Sequence, residues 1–308
     1  MSPPTTCSGP HAAIQYRLAL ELLLMIKENI AEHDIRTHVC FYTACPQFAE
    51  LYGSTAERNA LFKRACWLNG LGLSFEESND MDDEWTNIAV HTIEVDGFCK
   101  HPQCGQARLD SNVEAMRSVG LDAPGMENGR LSLRPHEGWR TASAQTALDY
   151  IHFEVRGGIR HEVENAHLHP VSSIPSVATP RTCRIDRHPI VARSYATFPP
   201  VAQLHFEFML YFPQIWIQQL RGVTVWNVQM QFIEALLDEP LYVSNLHEFL
   251  AEFGDMVPPQ WSPLKVCKEI GTVRSIFNFV TIAKWSYTGK SSDGPVYEFC
   301  LRRLSRGS

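Results

Sequence analysis

The sequence predicts an α+β protein: an N-terminal helical region followed by a small antiparallel sheet packed by one or two helices. Three observations predict it. In the first 120 positions apolar residues recur at steps of three and four, the helical period. From about residue 148 the period falls to two over short runs, as in half-buried strands. Between these regions, Gly120, Pro124, Gly125, Gly129, Pro135 and Gly138 break a stretch with no sustained period. A chain of 308 residues has room for two units at roughly 150 residues each. The expected division is an acidic helical module over 1–120, a linker over 121–147 and an α+β module over 148–308. A Pro-rich excursion, with Pro170, Pro175, Pro180, Pro189, Pro199 and Pro200, occupies 167–200 of the last unit.

The elements follow in order. Ile14, Leu18, Leu22, Met25, Ile26 and Ile30 share one face of a first helix. A short turn is expected next, then Ser54 or Thr55 as N-cap with Glu57 in the first turn. That second helix carries Leu61, Phe62, Ala65, Cys66 and Leu68 and stops at Asn69-Gly70. Asp82 or Asp83 can cap a third, carrying Trp85, Ile88, Ala89, Thr92 and Ile93. A fourth runs from about Ala107, with Leu109, Val113 and Met116 on its apolar face. Downstream, Leu204, Phe206 and Phe208 alternate on a strand, and Ile215-Trp216-Ile217 reads as another. Thr224 caps a helix with Val225, Val228, Phe232 and Leu236 inward, expected to pack on Leu204, Phe206 and Phe279. Ser244 caps a shorter helix, and residues 277–283 and 296–301 are the last strand candidates.

Composition excludes some classes. Apolar residues at 44% and charged residues at 20% lie in the globular range. A net charge of −7 disfavours a general nucleic-acid binder. The charge is uneven: residues 1–125 hold 17 acidic against 9 basic side chains, and residues 126–308 hold 17 against 18. The N-terminus shows no basic stretch leading into an apolar core, and no run approaches the length of a membrane span. Nine scattered cysteines fit reduced thiols better than a disulfide framework. The expected setting is cytoplasmic or nuclear, with a protein partner of unknown identity, no nucleic acid, no membrane and no cofactor.

The C-terminal half carries a series of short segments in a suggestive order. They are the strand Leu148-Asp149-Tyr150-Ile151-His152-Phe153-Glu154-Val155-Arg156; Ala196-Thr197-Phe198-Pro199-Pro200 feeding a strand; and Gly222-Val223-Thr224-Val225 opening a helix that ends in Leu237-Asp238-Glu239-Pro240. Phe277-Asn278-Phe279-Val280 and Tyr297-Glu298-Phe299-Cys300-Leu301 close it. In this, residues from about 148 to the C-terminus resemble a domain of unknown function widespread in mushroom-forming (basidiomycete) fungi. The resemblance implies a small α+β fold and brings no activity, cofactor or catalytic residue. Residues 1–125 carry no such likeness.

Three segments hold candidate chemistry. In the acidic run 76–84, Glu77, Asp80 and Glu84 can share one helical face, and clustered carboxylates suit Mg²⁺. The run is similar to the aspartate-rich motif of fungal terpene synthases. It departs in having Glu76 first and no Asn/Ser/Glu second metal motif downstream. A solvated run leading into a helix cap explains it as well. Cys40/Cys45 and Cys99/Cys104 are both C-x₄-C pairs, a looser spacing than most zinc modules, and the expectation is free thiols without metal. In 161–169, His167 and His169 point to one side of an extended chain beside His161, Glu162 and Glu164. This resembles the His-x-His element of cupin-type sites without the Gly-rich approach or the downstream Glu. Phosphate-binding, nucleophile-elbow, zincin and kinase signatures do not occur. The leading expectation is therefore a non-catalytic partner-binding protein. The alternative is a metal-dependent enzyme using 76–84 or 161–169.

Overall fold

The computed structural model describes residues 20–73, 84–96, 102–118, 188–207, 215–231, 240–291 and 294–303, with short strand segments between 126 and 184. The α+β class stands. Six helices come first: α1 (Leu20–Asn29), α2 (Ile35–Ala44), α3 (Pro46–Glu50), α4 (Thr55–Leu68), α5 (Trp85–Asp96) and α6 (Pro102–Ser118). The strands β1 (Met126–Glu127) with β2 (Arg130–Leu131) and β3 (Gln145–Thr146) follow, then β4 (His152–Val155), β5 (Val163–Ala166) and β6 (Cys183–Arg184). The main unit comprises α7 (Pro189–Arg193), β7 (Thr197–Phe198), β8 (Gln203–Glu207), β9 (Ile215–Gln218), α8 (Val225–Gln231), α9 (Val243–Phe253), α10 (Pro263–Glu269), α11 (Val273–Ile276), β10 (Val280–Ser291) and β11 (Gly294–Arg303).

Where the sequence predicts a short turn before Ser54, the chain forms α2 and α3. Asp34 caps α2, accepting the Thr37 N–H at 3.0 Å. Its buried face is Ile35, His38 and Val39, so a polar residue interrupts the apolar period and hides the helix. Cys45-Pro46 ends it, because proline disfavours helical backbone in the residue before it. α4 opens as predicted: Ser54 Oγ accepts the Glu57 N–H at 3.3 Å, and Glu57 Oε2 accepts the Ser54 N–H at 2.8 Å, a full capping box. It ends at Gly70, whose φ of +63° favours glycine. The Leu71 N–H reaches Cys66 O at 2.9 Å and the Gly70 N–H reaches Trp67 O at 2.8 Å, a Schellman close.

α5 buries Trp85, Ile88, Ala89, Thr92 and Ile93 as its spacing predicts. The Asp82 and Asp83 cap positions lie outside the described residues. Buried Asn59 on α4 accepts both the N–H and the hydroxyl of Thr86, tying the two helices together. α6 begins at Pro102, five residues earlier than the apolar pattern suggests. Proline suits the first turn, where its missing N–H has no helical partner. Gly105 in that turn lies against the buried Asp96 carboxylate, too close for any Cβ.

The main sheet has the strand order β10-β11-β8-β9. β10–β11 and β8–β9 are antiparallel, but β11 runs parallel to β8, with Val296 opposite His205. The sheet is thus mixed, not the antiparallel one expected. β8 and β11 are separated in sequence by β9, α8 to α11 and β10, a connection long enough for a parallel pairing. Thr224 caps α8 as predicted, with the Thr224 N–H donating to Asn227 Oδ1 at 2.8 Å. Val225, Val228, Leu204 and Phe206 share one core with Phe279 packed against it; Phe232, Leu236 and Phe208 lie outside the described residues. α9 starts at Val243 without a side-chain cap, so Ser244 sits inside its first turn. Phe277 closes α11, and the strand predicted from 277 begins at Val280.

Helices and sheet meet along a buried backbone clasp. Residues 193–196 bond to 70–72 on one side, through Gly72 N–H to Arg193 O at 2.7 Å and Tyr195 N–H to Gly70 O at 2.8 Å. On the other side they bond to 223–225, through Ala196 N–H to Val223 O and Val225 N–H to Ser194 O, both 2.9 Å. These groups are shielded from water, so pairing them avoids the cost of orphaned backbone dipoles. Trp67, Ala115 and Met116 enter the sheet's core, while Ile190 of α7 enters the helical one.

Candidate functional site

Of the residues singled out as ligands, Glu77, Asp80, His161, His167, His169 and Cys99 lie outside the described residues. Glu84 is exposed just before α5, its carbonyl accepting the Ile88 N–H at 2.9 Å. Cys104 sits in the first turn of α6. Cys40 and Cys45 are free thiols, Cys40 exposed near the end of α2. Among the described residues no group of three or more His, Cys, Asp or Glu converges to hold a metal.

What the described residues bring together is a cleft of about 360 Å³ between the α1–α2 turn, the end of α4 and α6. His33, Asp34 and Arg36 form one wall, and Asp110, Val113 and Arg117 form the other. Asn69, buried at the end of α4, lies at its base and donates to His33 O at 2.7 Å and Ala65 O at 2.8 Å. Asn112 on α6 locks this base from below, donating to Asn69 O at 2.9 Å and Ser194 Oγ at 3.0 Å. A buried amide that leaves no donor idle holds one geometry, because any other orphans it.

The charges in the cleft are spoken for, with one exception. Asp34 caps α2, and Asp110 accepts from Gln106 at 2.8 Å. Arg36 pairs with Asp96, which is 1% exposed and faces the first turn of α6. Glu32, beside the cleft, pairs with Arg64. Arg117 makes no ion pair with any described residue; one of its N–H groups meets His33 Nε2 at 3.2 Å. Guanidinium only donates, so in this contact His33 Nε2 is the acceptor. The described residues lining the cleft include no hydroxyl and no thiol.

A second concavity, about 650 Å³ and open to one side, runs along α1 and shares Ala31 and Asp34 with the first. Its lining is apolar: Leu22, Met25, Ile26 and Ile30, with Asn29 and Thr37 at the rim. Leu20, Leu22, Met25 and Ile26 are 59%, 47%, 56% and 45% exposed, and Leu23 alone on α1 is buried. The spacing of these residues is legible in the sequence; that they remain uncovered is not. Arg117, Asn69 and His33 belong to no recognisable motif, and only the fold assembles them. Behind α2, His38 is buried against Tyr52: its Nδ1 lies 3.2 Å from Tyr52 Oη, which donates to His38 O at 3.1 Å. Burial holds the His38 imidazole below its ordinary range despite the nearby Asp34 carboxylate, and burial raises the Tyr52 phenol.

No family model, curated protein or solved structure matches the chain. No helix among the described residues is long and apolar enough to cross a membrane.

Proposed function

We propose that the protein is a non-catalytic partner-binding module, and that its docking surface is the apolar groove along α1. One observation carries the reading: Leu22, Met25 and Ile26, three large apolar side chains on a ten-residue helix, stand about half exposed on a groove wall. Together they leave on the order of 300 Å² of apolar surface in water, within the range of patches that mark interaction sites. A standard interface takes about 800 Å² from each partner. The patch is therefore small for a dimer of whole chains and suits a single amphipathic helix, whose anchors at i, i+3, i+4 and i+7 lie in such a groove.

The test is a panel of 16-residue amphipathic helical peptides, with Leu or Ile at those four positions, titrated against the full chain by fluorescence anisotropy. Binding should be measurable and should weaken at least tenfold in the Met25→Gln/Ile26→Gln double variant. Glutamine forms helix as readily as methionine, so α1 itself is spared. Absence of binding, or binding indifferent to the double variant, would contradict the reading. So would self-association through the same face, seen by sedimentation.

A further inference from the structure

We infer that the polar cleft beside the groove reads one acidic side chain, placed just past the apolar stripe of the docked helix, with Arg117 as the receiving group. The inference rests on the α1 docking surface proposed above and adds the chemistry of its partner.

Three features support it. First, the polar cleft and the apolar groove share Ala31 and Asp34, so an occupant leaving the groove at the α1–α2 turn enters the cleft. Second, every other charged group there is engaged: Asp34 by its helix cap, Asp110 by Gln106, Arg36 by Asp96. Arg117 makes no ion pair with a described residue and gives one N–H to His33. Its other donors meet no partner among the described residues and suit a carboxylate, which a guanidinium grips through two parallel bonds. Third, the Asn69–Asn112 hydrogen bonds fix the base of the cleft against α4 and α6, so the wall presenting Arg117 is held in place before a partner arrives.

Charge complementarity here is local. Residues 1–125 carry 17 acidic and 9 basic side chains, so a broadly acidic partner would be repelled. A single carboxylate aimed at an isolated guanidinium avoids that repulsion. Asp34 and Asp110, lining the same cleft, disfavour a second acid nearby. The preferred segment is an apolar helical stripe with one Asp or Glu at its end and neutral residues around it.

The experiment uses the same helical peptides, now with one Glu scanned through the positions beyond the stripe and a Gln twin of each, against the full chain. One placement should bind about 3- to 10-fold tighter than its Gln twin, the range for a partly exposed, forked ion pair. In Arg117→Gln that preference should vanish while the Gln twin binds as before, with the circular dichroism spectrum unchanged; Arg117→Lys should keep part of it. Equal binding of Glu and Gln at every placement, or a preference that survives Arg117→Gln, overturns the inference and leaves the α1 docking surface standing. If no peptide binds, or binding ignores Met25→Gln/Ile26→Gln, the docking surface itself falls and this inference with it.

Discussion

α1 and α5 are short helices of ten and twelve residues with apolar side chains at the same three- and four-residue steps. α5 buries seven of its residues, Trp85 and Ile88 among them. α1 buries Leu23 alone and leaves Leu22, Met25 and Ile26 about half exposed. Local chemistry does not separate them. α5 has α4, α2 and α7 packed around it, and α1 has an open groove on its flank. Periodicity thus reports that a helix has an apolar face. It does not report what covers that face, because covering is a matter of chain topology. An amphipathic helix inside a fold serves the core; one on its rim is available to a partner.

The contrast can be broken most directly in α5. Trp85→Ala should cost about 3–5 kcal/mol in urea unfolding, the loss expected for a large aromatic cut from a packed core. A cost below about 1 kcal/mol would mean that α5 is no better embedded than α1. Next is Arg36→Ala. It strands the Asp96 carboxylate, buried at the α5–α6 junction, without its ion-pair partner. Arg36 is partly exposed, so water softens the penalty to about 2–3 kcal/mol. Asp96→Asn in the same background should recover part of it, because the stranded charge is gone.

Two smaller effects test the support beneath the cleft. Ser54→Ala removes the cap of α4 and should cost about 1 kcal/mol. His38, buried behind α2, gives a pH signature. Burial holds its folded pKa below the ordinary value of 6.5, so the unfolded chain binds the proton first as pH falls. Stability should therefore be level above about pH 6.5 and decline below it as the unfolded state gains protons. Denaturation of wild type and His38→Gln between pH 8 and 5.5 separates this contribution. The stability of wild type relative to His38→Gln should fall toward acid, and a relative stability that stays level or rises would contradict it.

How much of this was legible in the sequence depended on how local each signal was. The start of α4 at Ser54, one of two N-cap candidates beside Thr55, the Gly70 stop of α4 and the Thr224 cap of α8 are written in neighbouring residues, and all three lie where the sequence points. α2 was missed because His38 breaks its apolar stripe, and the start of α6 because a proline reads as a break when it is also a good first residue. The parallel β8–β11 pairing was invisible, since alternation shows a strand's two faces and says nothing of its neighbour's direction. The cleft was the least legible. Arg117 and His33 stand 84 residues apart and meet only after α4 and α6 have packed. The segments that look most like chemistry, 76–84 and 161–169, stand out by composition, whereas the cleft draws on ordinary residues and leaves one arginine with no carboxylate partner among the described residues.

The smallest expected effect sharpens the comparison most. Met25 is 56% exposed, so folding removes little of its apolar surface from water. Glutamine matches methionine in length and helix propensity. Met25→Gln should therefore leave unfolding within about 0.5 kcal/mol of wild type, as a surface substitution does. A loss near that of Trp85→Ala would mean that the α1 face is a core face after all. The same variant should still weaken the amphipathic peptide, because docking would bury the half of Met25 that folding leaves wet. A substitution silent in stability and costly in binding distinguishes a face kept for a partner from one used to hold the fold, and in α5 the order should reverse.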